Sequence, residues 1–114
     1  MSDGRVGLHL DSMSKAATSA IALAERMNYD DFIADADAQA ATAMYLILIG
    51  EAASRIALLS PEFVAANGSL PWDQMRGLRN RIVHDYETLH LPTIWSTVKE
   101  SLPLLLIEID VLRS

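Results

Sequence analysis

Val6-Gly7-Leu8-His9-Leu10-Asp11-Ser12-Met13 opens a stretch in which apolar residues return at Val6, Leu10, Met13, Ala17, Ala20, Ala24 and Met27. Steps that alternate between four and three residues trace one stripe along an α-helix and leave Asp11, Lys15, Glu25 and Arg26 for water. Asn28-Tyr29-Asp30-Asp31 breaks the pattern with turn formers and helix caps. A second helix is expected from about Asp35 to Leu59. Its middle, Ala43-Met44-Tyr45-Leu46-Ile47-Leu48-Ile49, is apolar on every side, as suits a central helix or a subunit interface.

Ser60-Pro61-Glu62 reads as an N-cap followed by proline at the first helical position, giving a short helical turn that Asn67-Gly68 ends. Pro71 starts a third helix that runs to His84. Asp85 to Leu91 reads as a loop, and Pro92 opens a fourth helix carrying Ile94, Trp95, Val98, Leu102, Leu105, Leu106, Ile109 and Leu112 inward. Pro103 should bend that helix, because its ring displaces the bond to the Lys99 carbonyl. The expected fold is all-α: an up-and-down four-helix bundle with a short extra helical turn between its second and third helices.

At 114 residues the chain makes one domain, residues 1–114, with a single core. It has no cysteine, which removes disulfides, thiolate metal sites and cysteine nucleophiles and suits a reducing cytoplasm. Met1-Ser2-Asp3-Gly4-Arg5 lacks the layout of a signal peptide. The longest apolar run, Ala43 to Ile49, falls short of the roughly 18 residues of a membrane span. The expectation is a cytoplasmic protein with no membrane partner. A formal charge of −6 argues against a general nucleic-acid coat but leaves room for a local basic site.

That site is Arg76 to Tyr86, which includes Arg79-Asn80-Arg81-Ile82-Val83-His84-Asp85-Tyr86. Arg76, Arg79 and Arg81 are three of the nine Lys and Arg, and His84 is one of three His. Guanidinium groups clamp phosphates and imidazole moves protons near neutral pH. Arg76, Asn80 and His84 share a helix face, while Leu78 and Ile82 should pack inward. At about 100° per residue, Arg79 and His84 point about 140° apart. They can meet at one substrate if the helix frays at His84, or if two copies face each other across a twofold axis. The bland alternative is an amphipathic helix with solvated arginines, since Arg-x-x-x-x-His is short enough to arise by accident.

Elsewhere the chemistry is sparse. His9 and His90 have no partner in sequence, and Tyr29 and Tyr45 read as packing residues. Glu51 either pairs with an arginine of the cluster or emerges where its helix meets solvent. Gly77 reads as a close helix approach. The aspartates at 30, 31, 35 and 37 suit helix caps and first turns. No glycine-rich phosphate loop, metal-ligand spacing or cofactor motif is visible, so any catalysis is expected to use no metal and no cofactor.

Along nearly the whole chain, from about Leu8 to Leu112, the sequence resembles the HEPN superfamily and, within it, the HepT-type toxins of toxin–antitoxin pairs. The likeness rests on Leu48-Ile49-Gly50-Glu51-Ala52-Ala53, Leu70-Pro71-Trp72, Gly77 through Tyr86, Ile94-Trp95 and Leu102-Pro103-Leu104. It implies a homodimer whose Arg and His motifs line an interface cleft. It implies a metal-independent endoribonuclease with Arg79 and His84 as the catalytic pair and Asn80 supporting them. Arg76 and Arg81 would then hold RNA. The implied partner is a minimal nucleotidyltransferase antitoxin that silences the toxin by transferring AMP to Tyr86. A different function on the same fold is a non-catalytic HEPN module that serves as substrate-binding partner of a nucleotidyltransferase.

Overall fold

The computed structural model describes residues 4–113; Met1 to Asp3, read above for a targeting signal, and Ser114 lie outside the described residues. Every regular element among them is helical. The long rods are α1 (Gly4–Glu25), α3 (Ala36–Leu59), α5 (Trp72–Asp85) and a composite of α6 (Leu91–Ser96) and α7 (Leu102–Arg113). Two short helices, α2 (Tyr29–Ala34) and α4 (Pro61–Ala66), fill the corners. The extents of 47 × 28 × 20 Å suit rods laid side by side, each about 10 Å thick.

The apolar stripe of α1 is the inner wall of the core. Val6, Leu10, Met13, Ala17, Ala20 and Ala24 are all buried against α3 and α7. Small alanines on that stripe let α1 and α3 lie close together. α3 is the central helix, packed against α1 on one side and α5 on another. By length and composition alone it could cross a membrane, although no uninterrupted apolar run in the sequence is long enough. Its buried Leu46, Ile49, Ala53 and Ile56 instead serve the core.

The break after Met27 is more ordered than a turn. Asn28 caps α2 by accepting from the Asp31 N–H at 2.8 Å, while the Asp31 carboxylate reaches back to the Asn28 N–H at 3.4 Å. This reciprocal capping box turns residues that read as a turn into a helix of six residues. Phe32 and Tyr29 then meet Trp95, with ring centroids 5.2 and 6.0 Å apart. These ring contacts fix α2 against α6. Asp35 caps α3 by accepting from Ala38 at 2.9 Å.

The corner before α5 is pinned by Trp72. Its indole N–H donates to the Asn67 carbonyl at 2.9 Å, and its ring stands edge-on to Phe63 at 6.3 Å. α5 therefore leaves a rigid corner, buries Trp72, Met75 and Ile82, and turns its other faces outward. In the fourth rod the bend expected at Pro103 takes the form of a π-helical segment, Thr97–Ser101, ending with a bond from the Leu102 N–H to the Thr97 carbonyl. Widening the helix just before a residue that lacks an N–H absorbs the lost bond. Ile94, Val98, Leu102, Leu105 and Ile109 still reach the core, with Trp95, Leu106 and Leu112 half-buried.

Gly50, not Gly77, marks the close helix approach. A Cβ on Gly50 would strike the Cβ of Arg79 and fall within 2.7 Å of the Met75 carbonyl oxygen, whereas one on Gly77 would meet nothing within 4 Å. Gly77 faces solvent. Gly50→Ala should therefore destabilise the protein by about 1–3 kcal/mol in urea denaturation, as overpacking does. Gly77→Ala should stabilise it by about 0.5–1 kcal/mol, since alanine favours a helix interior.

Candidate active site

The contact at Gly50 brings Arg79 down onto α3. Arg79 Nε lies 2.6 Å from Glu51 Oε1, and Nη1 donates to Asn80 Oδ1 at 3.0 Å. Nε is shielded from solvent and the contact lacks the direction of a hydrogen bond, so attraction between charges holds it. The side chains of Arg79 and Glu51 remain 30% and 37% exposed. The guanidinium is thus tethered at one edge, while Nη2 makes no contact of this kind among the described residues. A tethered, partly exposed guanidinium is shaped to receive a phosphate. Of the two readings of Glu51, the pairing with an arginine of the cluster is the one found. Sequence alone could flag only that a carboxylate stood in an apolar helix.

His84 stands apart from this cluster. α5 stays helical through His84 and ends at Asp85, so the frayed arrangement is not the one adopted. His84 is exposed and makes no hydrogen bond or ion pair among the described residues. Asn80 lies one turn before it on the same face and bridges the angular gap between Arg79 and His84. Arg76 is 3.9 Å from Asp73, a loose surface pair, and Arg81 is exposed with no partner among the described residues. Ile82 packs inward as expected, but Leu78 is only half-buried.

Tyr86 opens a 3-10 turn, Tyr86–Thr88, inside the stretch read as a loop. Asp85 leaves helical geometry at φ −132° and ψ 36°, which swings the tyrosine off the line of α5. Tyr86 is 45% exposed, enough for a partner to reach it. Its hydroxyl makes no hydrogen bond among the described residues. Among those residues, no three His, Asp or Glu side chains gather as metal ligands do.

The family described as ribonuclease HepT-like matches residues 13–112. The chain belongs to that family. Two relatives align over nearly their whole length. A Thermococcus cleftensis protein named "probable ribonuclease HepT" is 28% identical over 92% of this chain and 93% of its own. A Methanocaldococcus jannaschii protein named "putative RNase" is 29% identical over 97% of this chain and 99% of its own. No solved structure matches. Membership sets the enzyme class as ribonuclease, and the all-α bundle is the architecture that the resemblance implied.

The Arg79–Glu51 contact separates two effects. Glu51→Gln should cost under about 1 kcal/mol in thermal or urea unfolding, because half-exposed ion pairs contribute little. It should lower turnover on RNA by about ten- to a hundredfold, with KM little changed, because it loosens the group that must be held in place. A raised KM with turnover unchanged would show that Glu51 serves binding instead.

Proposed function

We propose that this HepT-like ribonuclease is a metal-independent endoribonuclease toxin that works as a homodimer in the cytoplasm. The observation that carries the reading is the tethered Arg79, held by Glu51 and Asn80, on the same helix as an exposed His84 that has no partner among the described residues. Both lie inside the span that matches the ribonuclease family.

The substrate supplies its own nucleophile. The ribose 2′-oxygen, already beside the scissile phosphorus, attacks it and forms the new P–O bond as the bond to the leaving 5′-oxygen breaks. His84 accepts the 2′-hydroxyl proton or protonates the leaving oxygen. Arg79 and Asn80 stabilise the charge that builds on the non-bridging oxygens. The products are a 2′,3′-cyclic phosphate and a free 5′-hydroxyl. With His84 as the one histidine of the motif, the second proton transfer falls to His84 of a second copy or to water.

Exposed apolar side chains support the dimer. Met44 and Leu48, one turn apart on α3, are 53% and 45% exposed, and Val83, one turn beyond Arg79 on α5, is 46% exposed. Glu51 continues the Met44–Leu48 face of α3. A second copy covering this surface would bury apolar area and bring two Arg79 and two His84 to one cleft. Leu104 and Ile107 are also exposed, on α7.

Regulation follows from Tyr86. A nucleotidyltransferase antitoxin would direct the phenolic oxygen onto the α-phosphorus of ATP, forming the tyrosyl–AMP bond and releasing pyrophosphate. The added negative charge, just past His84, would repel RNA from the cleft. The exposure of Tyr86, whose hydroxyl has no hydrogen-bond partner among the described residues, supports this assignment.

Cleavage of RNA should continue in EDTA and leave cyclic-phosphate ends. Arg79→Ala and His84→Ala should each reduce it at least a hundredfold with helicity intact. Activity in His84→Ala equal to the parent protein would show that the cleavage does not come from this site, and no cleavage by the parent protein would leave a binding module. Light scattering at micromolar concentration should give twice the chain mass; a stable monomer would remove the shared cleft. With a cognate nucleotidyltransferase, ATP and Mg²⁺, the mass should rise by AMP units and cleavage should cease. Tyr86→Phe should keep cleavage and gain no mass.

A further inference from the structure

The bundle is not closed all the way round. α5 and the α6–α7 rod barely touch, and between them lies a recess of about 620 Å³. Its floor is the aliphatic surface of Leu46, Ile49, Leu102 and Leu105, and the π-helical segment forms one wall with Thr97 and Ser101. α5 forms the other wall with Gln74, Gly77 and Arg81. None of the lining residues is acidic, in a chain with fifteen Asp and Glu against nine Lys and Arg. Among the described residues, Arg81 is the one charged residue that lines it. The side chains of Gln74, Arg81 and Ser101 make no hydrogen bond or ion pair among the described residues.

This combination favours a small planar ligand with an anionic attachment over a partner helix. Leu46, Ile49, Leu102 and Leu105 are each at most 4% exposed and Leu78 beside them is half-buried, so the apolar area still open is that of one ring and not of a helix face. A flat heterocycle needs only a slot with an apolar face below and amide and hydroxyl groups at its edges. Arg81 sits three residues before His84 on α5, which puts their Cβ atoms about 5–6 Å apart. A strand whose phosphate meets His84 therefore passes the mouth of the recess at the next nucleotide.

We propose that the recess receives one unpaired nucleobase of the RNA strand, next to the cleaved bond, while Arg81 holds that nucleotide's phosphate. This rests on the nuclease reading for its substrate and extends it to the selection of single-stranded RNA, because a base held in a duplex cannot enter. Base identity is read, if at all, by Gln74, Thr97 and Ser101.

Binding can be tested apart from cleavage with short single-stranded 2′-deoxy oligonucleotides, which lack the attacking hydroxyl. One series removes the base at each position in turn and keeps every phosphate. The parent protein should lose about tenfold in affinity at one abasic position, and little elsewhere. Ser101→Trp or Gly77→Phe, filling the recess from opposite walls, should bind the intact strand only as well as that abasic strand. Arg81→Ala should weaken binding of both strands several-fold. Equal affinity for all abasic strands would overturn the proposal. So would an undiminished base preference in both filled variants, or loss of all binding in both. An RNA of the same sequence tests the nuclease reading by itself: if it is bound with the base preference but never cut, that reading fails and the recess assignment stands.

Discussion

Everything at the site depends on how closely α5 can approach α3. The absence of a side chain at Gly50 lets the backbone at Met75 and Arg79 come within reach of α3. Glu51, the next residue along, is then within ion-pair distance of Arg79. With any larger residue at position 50, the helices would stand further apart and the tether would lengthen. Fold and chemistry thus share one contact, and the same glycine that completes the packing also sets the position of the guanidinium.

That geometry would let an acidic chain carry the proposed site for an anion. The Glu51 carboxylate takes up only one edge of the guanidinium and Asn80 a second position, which restricts its motion without removing its charge. Held groups lose less entropy when a phosphate arrives, and a preset donor stabilises developing charge without having to move. The rest of the basic cluster, Arg76 and Arg81, lies on other faces of α5, and Asp31 and Asp35 serve helix caps elsewhere. A single helix turns its buried side to α3, one outer face to the proposed chemistry and another to the recess.

The seam between α5 and the fourth rod has a related cause. Pro103 forbids a regular helix, and the π-helical segment before it widens the rod there. The Trp95 ring, fixed by Tyr29 and Phe32 and covered by Lys99 at 5.5 Å, anchors the start of that rod against α2 instead of α5. The opening left beside α5 is therefore a consequence of where this rod is pinned. It sits one helical turn from His84.

The sequence by itself determined the helical stripes, the capped starts at Asp35 and Ser60, the burial of α1 and the placing of Arg79, Asn80 and His84 on one helix. These are local properties: side-chain period and capping need only neighbours a few residues away. It also carried the family resemblance, through segments spread along the whole chain. Residues 28–31 read as turn formers and helix caps, because both use the same side chains, and the reciprocal bonds of Asn28 and Asp31 make them the start of a separate short helix. The tertiary structure alone decided which glycine meets a neighbouring helix, and that Glu51 and Arg79, distant in the chain, form a pair. It alone opened the recess beside Arg81. Each of these depends on the distance between two helices, which packing sets and no local pattern encodes.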